Sequence, residues 1–228
     1  MAEWWTYRIS DFLLFSPRTY YRLFELHNQA VWPVHLVAGV IGVTIIYLLW
    51  RPTPARWRIV ALLLAVGWGF VAWAYYWERY ATINWAADFY AWACLAEAVL
   101  LSAFAAFGGG FADSVDARRV KLGLALVAFA LVIQPLIGPA VGRAWPQFEF
   151  FAVAPDPTIV ATLGVLVAAR PRARWLLLPI PVTGSFVAGA TLWAMEQPDA
   201  FVLPLLAIVS IIGAGLVGRS RLSSRSAR

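Results

Sequence analysis

Charge is scarce in this chain. Only 13% of its 228 residues are Asp, Glu, Lys or Arg, while 62% are hydrophobic. A soluble domain carries about a quarter charged residues, and a fold of this length has too much surface to hide so much apolar side chain. A water-soluble globule is therefore excluded. The apolar residues fall in continuous runs rather than alternating, which excludes a membrane β-barrel. One cysteine, Cys94, excludes an intramolecular disulfide and a cysteine metal cluster. The two histidines, His27 and His35, form no HxxxH or HExxH pattern, so no metal or haem is expected, and no cofactor. No nucleophile elbow, phosphate loop or dinucleotide fingerprint occurs either. A domain linker, a low-complexity tract and an internal repeat are all missing.

What remains is a set of seven apolar runs, covering roughly 30–50, 59–77, 85–107, 119–138, 157–169, 174–195 and 199–218. Runs approaching eighteen residues read as transmembrane helices. The fold class expected is all-α: a polytopic bundle of about seven spans over 30–218. The formal charge of +6 is a topology signal rather than a nucleic-acid signal, because the basic residues lie between the runs. Thirteen of the eighteen fall on one side: Arg51, Arg56 and Arg58; Arg118, Arg119 and Lys121; Arg170, Arg172 and Arg174; and Arg219, Arg221, Arg225 and Arg228. That side is cytoplasmic by the positive-inside rule, which puts the N-terminus outside and requires an odd number of spans. The N-terminus shows no cleavable signal pattern. Residues 219–228 read as a disordered basic tail.

Acids collect on the other side, among them Glu149, Asp156, Glu196 and Asp199. So do tryptophans: Trp4, Trp5, Trp32, Trp77, Trp85, Trp145 and Trp193. An aromatic belt at the headgroups explains the tryptophans, and an aromatic, acidic vestibule is the alternative. Residues 1–29 read as an amphipathic interfacial segment, with Ser16 as N-cap and Pro17 at the first helical position.

The stretch QPLIGPAVGRAWPQFEFFAVAPDPTI, residues 134–159, breaks the pattern. A fifth helix capped by Asp156 and begun at Pro157 would be short, about 20 Å. Either a proline-kinked helix or non-helical chain buried in the bundle must precede it.

Five residues are candidates for a polar intramembrane or vestibule site. Glu97 lies mid-span, where an ionisable group costs several kcal/mol unless paired or neutral. Asp88 and Gln134 lie near outer span ends, where reaching out to water is the ordinary reading. His35 and Asp156 complete the set.

Four stretches, FSPRTYYRLFELHNQAVWP (15–33), YYWERYATIN (75–84), IQPLIGPAVGRAWP (133–146) and DPTIVATLG (156–164), resemble an uncharacterised family of bacterial polytopic membrane proteins, domain-of-unknown-function family 6064. The resemblance implies a bacterial inner-membrane, multi-pass protein and brings no established substrate or reaction. The family pattern differs from this chain at His27, His35 and Asp156-Pro157-Thr158, which weakens any metal, haem or thiol chemistry.

Two functions stay open. One is a permease-like or small-solute-binding role, which needs Glu97 and the broken start of the fifth helix to face one cavity. The other is a non-catalytic accessory or assembly subunit of a larger membrane complex, with other membrane proteins as partners. A membrane enzyme acting on a lipid or quinone ranks behind both, because no nucleophile–base pair or metal set occurs.

Overall fold

The computed structural model describes residues 15–107, 111 and 115–216. The readings placed on Trp4, Trp5 and the 219–228 tail lie outside the described residues. Among the described residues the secondary structure is all helical, with no strand. Helix α1 (Pro17–Val31) starts at Ser16, whose hydroxyl accepts the Thr19 N–H at 3.2 Å. It meets α2 (Val34–Trp50) at 91° across Trp32-Pro33. Helix α3 (Pro54–Phe70) runs on through a π-helical stretch, Val71–Trp77, and a 3₁₀ turn, Tyr80–Thr82. Helix α4 (Ala87–Phe107) follows. Helix α5 (Ala117–Ala128), a second π stretch (Phe129–Ile133) and α6 (Gln134–Ala140) form one rod. Beyond the broken connection come α7 (Pro155–Ala168), α8 (Pro171–Leu177), α9 (Pro179–Ala194) and α10 (Val202–Leu216).

Four stretches are long and apolar enough to cross a bilayer: Pro54–Thr82, Ala87–Phe107, Ala117–Ala140 and Pro171–Ala194. The bent α1–α2 pair makes a fifth if taken as one span, and α7 and α10 are shorter apolar helices. Of the seven runs read in the sequence, four to five thus meet the length criterion. The outward faces are apolar too. On α2, Leu36, Val37, Val40, Val43 and Tyr47 are all exposed. A continuous apolar stripe facing outward needs a lipid solvent, and the chain is a membrane protein.

Helix α7 is the axis of the bundle. Every residue from Phe151 to Ala169 is buried, the pattern of a helix that is hydrophobic all round. It is enclosed chiefly by α5, α9 and α10, with α3 also in contact. The α5 crossing is a backbone-to-backbone approach. A Cβ on Gly123 would lie 2.5 Å from the Gly164 carbonyl oxygen, and one on Gly164 would lie 2.7 Å from that of Gly123. Small residues permit such contact between membrane helices.

Both ends of α7 differ from the sequence reading. The helix begins at Pro155, with Ala154 in the N-cap position and no side-chain cap. Asp156 therefore sits inside the first turn and does not cap it, because a proline two residues earlier than expected already supplies the helical φ and lacks the N–H a cap would satisfy. At the other end, Arg174 is more than a basic topology marker. Its guanidinium is buried and donates to the carbonyls of Leu166 (3.1 Å), Val167 (3.3 Å) and Ala169, and to Ala214 on α10 (2.9 Å). The first three are carbonyls at the C-terminal end of α7, where helix geometry leaves acceptors unpaired and a cation is favoured.

Candidate functional site

The kinked-helix alternative for the connection does not hold. After a 3₁₀ turn at Trp145–Gln147, residues 148–154 are non-helical. Buried backbone of this kind must find partners, and α1 supplies them. The Asn28 amide nitrogen donates to Pro146 O (2.9 Å) and Phe148 O (2.8 Å), and His27 Nε2 donates to Val153 O (3.0 Å). His35 Nε2 donates to Asn28 Oδ1 at 3.1 Å and so fixes that amide. From within, Thr158 Oγ1 accepts the Ala152 N–H at 2.9 Å and donates to Ala154 O at 2.7 Å. Ala152 holds a left-handed φ of 58° to make the reversal. The loop is pinned from two directions. His35 belongs to this scaffold.

Arg143 reaches the centre of this region by a local device. Gly142 takes φ 90° just past α6. The Gly142 N–H donates to Pro139 O (3.2 Å) and the Arg143 N–H to Gly138 O (2.9 Å). That pair of bonds is a Schellman motif, which turns the chain back over the helix end. The Arg143 guanidinium then pairs with the Asp199 carboxylate, lies 3.9 Å from Glu149, and stacks 4.7 Å from the Tyr21 ring centre. Arg143, Glu149, Asp156, Asp199 and Gln134 together line a small cavity of about 20 Å³. Gln134 is buried there, and its amide oxygen has no partner among the described residues. The expectation that it reaches out to water is overturned, because the π stretch 129–133 re-phases the helix immediately before it.

Glu149 and Asp156 face the same small cavity. Two neighbouring buried carboxyls disfavour each other's ionisation. Burial first, and then the Asp156 charge, push Glu149 well above the usual carboxylate range despite Arg143. The Arg143 guanidinium is paired with Asp199 rather than with Asp156.

Asp156 also lines a second cavity, of about 290 Å³, whose wall includes Trp68, Tyr20, Tyr75, Tyr76, Tyr80 and Tyr90. The tyrosine rings touch one another: Tyr75 and Tyr80 stack at 5.9 Å, and Tyr76 and Tyr90 lie 5.6 Å apart. The tryptophans of the expected vestibule are elsewhere, with Trp32, Trp85, Trp145 and Trp193 all exposed.

Of the five sequence candidates, Gln134 and Asp156 share the small cavity. Asp88 is exposed on α4. Glu97 is fully buried on the Ala91–Cys94–Leu101 face of α4, and neither carboxyl oxygen has a partner among the described residues. One turn earlier Cys94 lines the aromatic cavity, but Glu97 lines neither cavity. Arg143, Asp199, Glu149 and the tyrosines were not singled out from sequence. The available signal was a lone arginine in an acid-rich outer connection, together with tyrosines recurring in four segments.

The molecule is thus an all-helical membrane protein with a buried ionic cluster at a broken helix start. Its residues 18–226 match the family described as a family of unknown function, DUF6064, and the chain belongs to that family. No curated protein and no solved structure matches it.

Proposed function

We propose that the protein is a permease-like, small-solute-binding protein of the bacterial inner membrane. In this reading it has seven spans over 30–218, counting α2, α7 and α10, with the N-terminus outside and the basic tail in the cytoplasm. Residues 1–29 form the interfacial segment. The observation that carries the functional reading is the double position of Asp156. It faces the aromatic cavity on one side and the Arg143 cluster on the other. A helix start broken by non-helical chain is how transporters bring polar groups to the middle of a bundle. A purely structural ion cluster would have no need of a cavity on its flank. Gln134 and Asp156 are the site residues in this proposal, with Arg143, Glu149 and Asp199 added. His35 holds the loop, and Glu97 and Asp88 have no direct part: the cavity that Glu97 was expected to share with the broken helix start is reached by Asp156 instead.

The test is extraction from the native membrane in a mild detergent, followed by mass spectrometry of both protein and small molecules. A small molecule recovered in stoichiometric amount with an otherwise solitary chain supports the proposal. A second membrane protein recovered in stoichiometric amount, with no small molecule, would instead make this an accessory subunit.

A further inference from the structure

The aromatic cavity has one charged group on its wall, Asp156, and no basic residue. That carboxylate is 5% exposed. No salt bridge reaches it among the described residues, since Arg143 is engaged by Asp199. An uncompensated buried charge is costly, and a partner of opposite sign in the adjoining space would offset that cost. Tyrosine rings present negative faces, and a cage of such rings with a carboxylate is the chemistry that recognises ammonium groups. A metal ion would need several oxygen or nitrogen ligands converging. No group of three or more His, Cys, Asp or Glu side chains is so disposed among the described residues.

The route in supplies the second constraint. The cavity lies between α4 and α9, and its wall is partly exposed at Ala93 on α4 and at Thr183 and Val187 on α9. The same helices bear the apolar outward residues Phe89, Trp92 and Phe186. The opening therefore faces the lipid side of the bundle. A ligand arriving that way must be soluble in the bilayer.

We infer that this cavity binds a lipophilic organic monocation, an amine or quaternary ammonium with an apolar body, its cationic head against Asp156 and the tyrosines. The inference rests on the small-solute reading and names the class of solute.

The test uses the full-length protein in dodecyl maltoside, whose sugar headgroup carries no ammonium to compete. The probes are benzyltrimethylammonium, its neutral carbon isostere neopentylbenzene, and benzenesulfonate. Binding is followed by calorimetry. The cation is expected to bind at least tenfold more tightly than the neutral isostere. Asp156→Asn should abolish that difference. Tyr90→Phe should keep cation binding, and Tyr90→Leu should weaken it severalfold. The Tyr90 pair carries the test if the Asp156 variant does not fold, since Tyr90 is only half-buried. If the neutral or anionic probe binds as well as the cation, or if Tyr90→Leu and Asp156→Asn leave the cation preference unchanged, the cation assignment is overturned while a small-solute site remains. If none of the three binds at millimolar concentration, both the assignment and the solute-binding reading fall.

Discussion

Arg143 shows how much a single residue depends on its neighbours. It is buried between Asp199 and Glu149 only because Gly142 adopts a backbone conformation that side chains resist. Removing one member of a buried ion pair leaves the other unmatched, which costs about 3–5 kcal/mol, whereas replacing both with apolar residues costs far less. Arg143→Met alone should therefore lower thermal stability sharply, and Arg143→Met with Asp199→Leu should recover most of it. Equal losses in the two would show the pair is not buried together. His27 gives a pH signature. Burial pushes its imidazole from 6.5 down to about 4, against the opposing pull of the Val153 carbonyl. The folded state thus keeps His27 neutral where the unfolded chain takes up a proton. Stability is retained above pH 6.5 and lost as pH falls towards 4, by roughly 3 kcal/mol in all. His27→Phe should flatten that part of a stability–pH profile. A profile as steep in the variant as in the parent would remove His27 as the cause. Sequence alone marked Asp156 and Gln134 as individuals. It could not show their company, since Asp199 lies 56 residues from Arg143 and the two meet only through tertiary folding.

At the scale of elements, apolar runs were readable because lipid-facing and core-facing residues are both apolar, so a helix appears as one block, and four to five of the seven runs meet the length of a span. The prolines flagged the break before α7, but not its form. Backbone satisfaction by His27 and Asn28 from α1 decides in favour of non-helical chain, and such long-range bonds leave no local pattern. The two π stretches were equally hidden, since an extra residue per turn changes no residue type. The α5–α7 crossing gives the sharpest test of packing. Gly164→Ala would place a Cβ 2.7 Å from the Gly123 carbonyl oxygen and 2.9 Å from Leu126 Cβ. Overpacking of that kind costs about 1–3 kcal/mol. Gly69→Ala meets nothing within 4 Å and should be neutral, or stabilising by up to about 1 kcal/mol through helix propensity. Thermal unfolding followed by circular dichroism separates them. Similar shifts for both would contradict the close approach.

In the whole molecule, the Arg143 cluster and the aromatic cavity lie at one end of α7 and Arg174 at the other. The helix dipole is thus met by a carboxylate at its N-terminal end and a guanidinium at its C-terminal end. In the proposed topology the Arg174 end is cytoplasmic, so Gln147→Cys and Arg172→Cys, each in a Cys94→Ser background, should label from opposite sides. Labelling of both from one side would overturn the topology. In the proposed function, Asp156 is where a solute meets this protein. Native mass spectrometry of the intact protein, taken from its own membrane as the wild type and as Asp156→Asn and Glu97→Gln variants, tests that most directly. A bound small molecule is expected on the wild type and on Glu97→Gln, and should be missing from Asp156→Asn. The same bound mass on all three, or its loss only in Glu97→Gln, would contradict that role.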